Sequence, residues 1–348
     1  MNSILMISLL RILIGTYGTE FYDADFDKDR LSLKKVSSIT ASDCSYICPS
    51  EDGKYFFAVS ESGISGAYSF DSELNIISYT KDVGYGPCFI SLLPGTPYIL
   101  TSNFGDGSVS VLETKDGVIE RRVQDIQFKG SGPVLEDDRQ LHSRTHQVLA
   151  VPESIGGKGK WLLATDLGGD KIHVLKYRKR ARRPLREIRR LAVSTPAGSG
   201  PRHMAFNEQA GVIYCLTEIS GEILVYRIKG PRLKLMQTVQ AEEVGAAASG
   251  DIHLHPSGKW LYASHRNGND GISVFDVASD GLITKKAYVR TGDHPRNFTF
   301  SPDGQNLLAA CMNSHCVQVF PIDKTTGIPG ACAESCNFDQ LPVCLLFH

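Results

Sequence analysis

One alternating apolar strand motif returns seven times along this chain, and no other feature restricts the fold as tightly. Its copies read FYDADF, GAYSF, SVSVL, IHVLKY, ILVYRI, ISVFDV and VQVFPI. They end at Phe26, Phe70, Leu112, Tyr177, Ile228, Val277 and Ile322, with gaps of 44, 42, 65, 51, 49 and 45 residues. Ahead of several copies stands a turn (SEDGK at 50–54, HPSGK at 255–259, SPDGQ at 301–305) followed by a second apolar run (YFFAVSE, WLYASHR, NLLAACM). Asp-Gly and Ser-Gly steps between such runs are hairpin signals. A fourth, weaker strand closes each unit, and a helical period is nearly absent.

Four short strands repeating about every 50 residues read as a propeller blade. A parallel α/β sheet would need helical crossovers, which this pattern lacks. The expected fold is therefore all-β: a seven-bladed β-propeller with four antiparallel strands per blade, one domain over 1–348, with 1–10 disordered. The chain opens on second and third strands (RILIGTY, FYDADF) and ends on a lone first strand, PVCLLF at 342–347. Pairing the last strand with 12–17 would close the ring and satisfy two open edges. The widest gap is assigned to a loop at about 120–142, and the basic run KYRKRARRPLREIRR at 176–190 to a solvated hairpin on the far rim.

Composition narrows the function classes. With 42% hydrophobic and 22% charged residues, bulk disorder is excluded. A net charge of −1 lacks the basic surplus of a nucleic-acid binder, so no nucleic-acid partner is expected. No apolar run reaches about 18 residues, so no membrane partner is expected. The apolar start MNSILMISLLRILIGTY is interrupted by Arg11 and has no small-residue cleavage site, and it is not read as a signal peptide. The nine cysteines are odd in number and form no CxxC; they read as reduced, buried thiols of a cytoplasmic protein. A monomer or weak homodimer is expected.

Within a blade, the start of the inner strand and the end of the second strand share one rim. Inner-strand starts carry His146, Arg202, His203, Asp251, His253 and Arg296. Second-strand ends carry Glu61, Asn103, Asp166, Glu218, His265 and Arg266. Asp166 and Asn103 sit before glycines and read as turn formers. His146, Arg202 and Glu218, with Arg266 or Arg296, form the set whose shared rim points to chemistry. Arginines stabilise oxyanions, and an imidazole or carboxylate accepts protons. Such a mouth suits an anionic substrate whose carbonyl changes charge, as in lactone hydrolysis or lactonisation. His253 and His255 alternate with Leu254, but His255 enters a Pro-Ser-Gly turn where exposure is expected; no metal and no other cofactor is expected. No G-x-S-x-G elbow argues for a covalent serine route.

Several stretches, in order, resemble the seven-bladed 6-phosphogluconolactonase family over nearly the whole chain. They are ILIGTY at 12–17, YICPSEDGKYFFAVSE at 46–61, SNFGDGSVSVL at 102–112, AGSGPRHMAFN with YCLTE, SGDIHLHPSGKWLYASHRN, HPRNFTFSPDGQNLLAA and PVCLLF. The related fungal carboxymuconate-lactonising enzyme shares the pattern. The resemblance implies a phosphorylated sugar δ-lactone as substrate, with His146, Arg202 and Glu218 catalytic and Arg266 and Arg296 as further basic positions that bind it; His203 and His253, at inner-strand starts on the same rim, are added as binding residues. Both His146 and Glu218 titrate low enough to act as bases near pH 7; His146 is expected as general base with Glu218 orienting it or the water, and the reverse assignment is the alternative. Two departures stand out: Arg144 replaces the first histidine of a Pro-His-x-His stretch, and Glu20-Phe21 replaces a serine- and glycine-containing loop. The alternatives are a propeller that binds a partner or ligand without catalysis, and a lactonising enzyme for an unsaturated dicarboxylate.

Overall fold

The computed structural model describes residues 9–63, 65–134, 138–242 and 248–348. Seven antiparallel sheets follow one another around a central axis. Blade 1 combines Leu341–Phe347, Leu9–Tyr17, Glu20–Asp27 and Ser32–Thr40, from inside to outside. Blades 2 to 7 run in chain order from Cys44, Pro87, Thr145, Pro201, Ala248 and Pro295. The C-terminal strand pairs with Leu9–Tyr17, Ile12 opposite Phe347 and Tyr17 opposite Leu341, so the ring closes as the orphan strands require. Leu9 and Leu10 already belong to a strand; the rest of the stretch expected to be disordered lies outside the described residues.

Side-chain burial explains the pattern of the repeat. Second strands such as Val212–Thr217 and Asn306–Cys311 are buried at every position, because each blade is covered on both faces by its neighbours. They therefore read as near-continuous apolar runs. Outer strands such as Arg232–Gln240 alternate with solvent and carry the charge. Each of the seven blade-to-blade interfaces holds its own apolar cluster. At the seam, Ile12, Tyr22 and Phe26 of blade 1 pack with Leu308, Val317 and Phe338 of blade 7. The core is thus a ring of inter-blade layers around a polar axis.

Two sequence expectations need correction. The long connection does not begin near 120: Val118–Gln127 is the outer strand of blade 3, and the loop starts after it. Blade 4 does not end in one regular outer strand. Leu185–Glu187 pairs with Leu175–Tyr177, the chain bulges through a 3-10 turn at Arg189–Leu191, and Val193–Ser194 resumes pairing at Lys171–Ile172. The basic run does form an exposed hairpin, at the rim where the third strand Lys171–Tyr177 ends.

Candidate active site in the mouth of the propeller

A break in regular pairing decides which side chains reach the axis. Near the start of every inner strand the register with its neighbour slips, as a β-bulge or similar irregularity. The skipped residues are Ser45–Tyr46, Cys88, His146, Arg202, Gly250–Asp251, Arg296 and Val343, one place per blade. A bulged residue is unpaired and its side chain is re-aimed. Six of these places supply lining residues of one axial cavity: Ser45, Tyr46, Cys88, His146, Arg202, Arg296 and Val343. Four of the skipped residues directly follow a proline: Pro87, Pro201, Pro295 and Pro342. Proline has no N–H for the ladder and is tolerated at strand starts and bulges. That Pro-x signal was present in the sequence. It would have added Cys88 and Val343 to the predicted mouth; Ser45 and Tyr46 carry no such mark.

The polar groups concentrate on blades 4 to 7. Glu218, just past Val212–Thr217, is the hub. Its Oε2 accepts from Arg202 Nε at 2.7 Å and Arg266 Nη2 at 3.1 Å, and its Oε1 from Arg139 Nη1 at 3.0 Å. Burial would raise its pKa, but Arg266, Arg202 and Arg139 outweigh burial and pull it down to about 2. Arg139 comes from the turn Asp138–Gln140, far from any strand end, and sequence reasoning missed it. Arg202 also donates Nη1 to Gly250 O at 2.6 Å. Glycine is required at 250: a Cβ there would lie 2.6 Å from Ser264 Oγ and 3.0 Å from the Pro295 and Arg296 carbonyls.

His146 is 4% exposed, and its Nδ1 has no hydrogen-bond partner among the described residues. Its ring meets His203 edge-on at a centroid distance of 4.9 Å. Burial, reinforced by the charges of Arg202, His203, Arg296 and Arg266, holds its pKa well below the usual histidine value. It is therefore a neutral imidazole at pH 7. Ser45 Oγ, on the same cavity, is likewise buried without a partner. Two orphaned polar atoms on one cavity mark where atoms of water or ligand can be received.

Asp251 organises the next layer. It contacts His203 Nδ1 at 2.6 Å and His253 Nε2 at 2.8 Å, and accepts from Asn297 Nδ2. Burial would raise the Asp251 pKa, but His253 and His203 hold it well below the carboxylate range. Burial and Arg202 lower His203 to about 4, against the pull of Asp251. His253 lies further along its strand and does not border the axial cavity.

The two remaining arginines differ. Arg266 is buried and spends its donors on Ala248 O, Ser249 O, Glu218 and His294. Burial lowers its pKa to about 9 despite Glu218. Arg296 borders the cavity, lies over the Tyr17 ring at 5.0 Å and reaches Glu61 only at 3.4 Å. Burial opposes its charge, but Tyr17, Glu61 and Glu218 more than offset that and raise its pKa. His265 is inside blade 6, bonded to Ser249 and Ser273, and Asn103 closes a turn with Ser108 and Ser110. His255 is buried, its Nε2 2.8 Å from Gly304 O, rather than exposed as its turn position suggested. Among the described residues no group of three His, Cys, Asp or Glu is placed to hold a metal ion, and no helix is long and apolar enough to cross a membrane.

The arrangement can bind an anion, stabilise an oxyanion and accept a proton on a neutral imidazole. Comparison with known proteins points the same way. A 6-phosphogluconolactonase of Formosa agariphila is 31% identical over 329 residues, 89% of this chain and 90% of that one. One of Bacillus subtilis is 27% identical over 327 residues, 90% and 89% of the two chains. Among solved structures, the periplasmic gluconolactonase of Pseudomonas aeruginosa superposes with a TM-score of 0.91 at 29% identity, covering 98% of this chain and 99% of its own. The family described as "Lactonase, 7-bladed beta-propeller" matches residues 11–347. With that match reaching all seven blades, the chain belongs to the seven-bladed β-propeller lactonases and is a lactonase-type hydrolase.

Proposed function

We propose that the substrate is 6-phospho-D-glucono-1,5-lactone, opened to 6-phosphogluconate in the axial mouth. The observation that carries this reading is His146: buried, neutral, with a free Nδ1 on a cavity it shares with Arg202 and Arg296. His146 takes a proton from water as the water oxygen bonds to the lactone carbonyl carbon. Arg202 faces the resulting oxyanion. Collapse breaks the bond to the ring oxygen, and His146 returns its proton there, so the cycle conserves protons without a covalent enzyme intermediate.

Glu218 has a different part in this scheme from that of orienting His146. Its oxygens are held by three guanidiniums and its pKa is too low for a proton acceptor at neutral pH. Its task is to fix the arginines and balance their charge. Arg296, with only a long contact to Glu61, has donors to spend on the substrate's anionic group; Arg266 does not. The names of the Formosa and Bacillus relatives support the phosphorylated substrate, whereas the Pseudomonas relative is named for gluconolactone. We carry the cytoplasmic location forward in the same proposal, supported by the odd number of cysteines, six of them buried in strands of the apolar core.

The test is hydrolysis of freshly generated 6-phosphogluconolactone beside gluconolactone, corrected for spontaneous opening. The phosphorylated lactone is expected to show the higher kcat/KM. Arg296→Ala should raise KM for it at least about tenfold more than for gluconolactone, the scale of one charge-assisted contact. Equal effects on both substrates would remove the phosphate from Arg296.

A further inference from the structure

A second cleft lies away from the axial mouth. It opens on the outer flank between blades 3 and 4 and has a volume of about 670 Å³, within the range of small-molecule sites. The interrupted outer strand of blade 4 creates it. Between the pairs Ile172–Val193 and Leu175–Glu187, two residues of the inner partner face five of the outer one. The excess chain bulges away as Ile188–Ala192 and leaves His173 without a regular outer-strand partner. Phe128, the residue after the outer strand of blade 3, fills part of the gap, stacked on the His173 ring at 3.9 Å and 14°.

The charge on the cleft wall is lopsided. Lys129, Lys171 and Arg189 line it, and Glu187 is its acid. That acid is already engaged: Glu187 Oε1 lies 3.0 Å from His173 Nδ1, and its Oε2 accepts from Arg189 Nε at 3.1 Å. On the other side His173 Nε2 lies 3.2 Å from buried Asp166. Burial would lower the His173 pKa, but the two carboxylates outweigh it and raise it. The acids behind the wall are thus engaged by His173, and the lysines set the field at its surface. No ion pair involving Lys129 or Lys171 occurs among the described residues.

We propose that this cleft is a second binding site, separate from the axial mouth, for a small polyanion carrying phosphate or several carboxylates. Lys129, Lys171 and Arg189 provide its cationic contacts, and Gln127 and Ser194 its neutral hydrogen-bonding groups. The site is also wired to the mouth. Asp166, which holds His173, accepts from Ser143 Oγ at 2.6 Å and from the Arg144 backbone N–H at 2.7 Å, three and two residues ahead of His146. Gln140, next to Arg139, bonds the carbonyl of Leu167 in the same turn. An occupant that moved His173 would pull on both connections.

Inorganic pyrophosphate is a suitable probe, titrated calorimetrically into the full chain at low salt. Lys129→Ala/Lys171→Ala should weaken its binding at least about tenfold, as expected for losing two charge-assisted contacts. Both lysines lie outside the catalytic mouth, so the double variant should keep its lactonase kcat/KM within twofold when no probe is present. Arg296→Ala should leave the cleft isotherm unchanged. Lys171→Glu, read with an unchanged melting curve, repeats the test by charge reversal. The proposal is overturned if pyrophosphate binds the lysine variants as tightly as the wild type, if it does not bind the wild type at millimolar concentration, or if Arg296→Ala alone abolishes binding. Because the readout is binding, failure here leaves the lactone assignment standing, and failure of that assignment leaves this site testable.

Discussion

At the scale of single residues, environment sorts three titratable groups into different work. Glu218 and Asp251 are buried carboxylates held ionised, one by arginines and one by histidines. His146 is surrounded by positive charge and has no carboxylate partner, so it stays neutral. A base whose pKa lies well below 6.5 is unprotonated throughout the range where an ordinary histidine titrates. The kcat/KM of the wild type, corrected for spontaneous opening, should therefore remain level as pH falls from 8 through 6.5, and decline only well below that. A half-maximal point near 6.5 would show a solvated histidine as the base. His146→Gln should cost about 10²–10⁴ in kcat while the protein stays folded. His146, Arg202 and Glu218 were legible in the sequence as strand-end polar residues. Their division of labour was not, because it depends on Arg139, which is 79 residues from Glu218 in sequence.

At the scale of the element, the inner-strand bulge is the device that builds the mouth. A regular inner strand would alternate its side chains between the two blade faces. In six of the seven blades the slipped register brings side chains to the axial cavity. In blade 1 the slip lies between Gly15 and Thr16, and there the backbone runs against blade 2. A Cβ on Gly15 would stand 2.3 Å from the Cys44 carbonyl oxygen and 3.1 Å from the Cys344 Cβ, and a backbone atom cannot turn aside. Gly15→Ala should destabilise the protein by about 1–3 kcal/mol, the usual cost of overpacking. Thermal unfolding checks this, with Thr16→Ser as a control that keeps the hydroxyl. An unchanged midpoint for Gly15→Ala would show that the blade 1–2 contact can relax. The same scale explains the misjudged loop and His255. Val118–Gln127 is polar enough to read as loop, yet its ladder to Ser108–Lys115 makes it a strand. His255 enters a turn, yet the neighbouring blade's Gly304 carbonyl covers it.

At the scale of the whole molecule, closure turns seven sheets into one ring. Leu341–Phe347 gives blade 1 its inner strand and carries Leu345 into the blade 1–7 cluster. Asn297 of blade 7 also accepts from the Leu345 N–H at 2.8 Å. Deleting 341–348 would expose the Leu9–Tyr17 edge and open that cluster. The loss of several ladder bonds, each worth about 1 kcal/mol, should lower Tm by roughly 10 °C or more. A truncated chain with wild-type Tm and cooperativity would mean that the ring does not depend on this seam. The repeat, the blade count and the closing strand were readable from the sequence alone, because they rest on local rules: alternation, hairpin turns and unpaired edges leave the same mark in every unit. How the polar side chains at the axis pair with one another, how Arg139 reaches Glu218, and the cleft opened by the broken strand of blade 4 were decided only by tertiary structure. Those features arise where a strand departs from its own pattern or where blades distant in sequence meet, and periodicity carries no record of either.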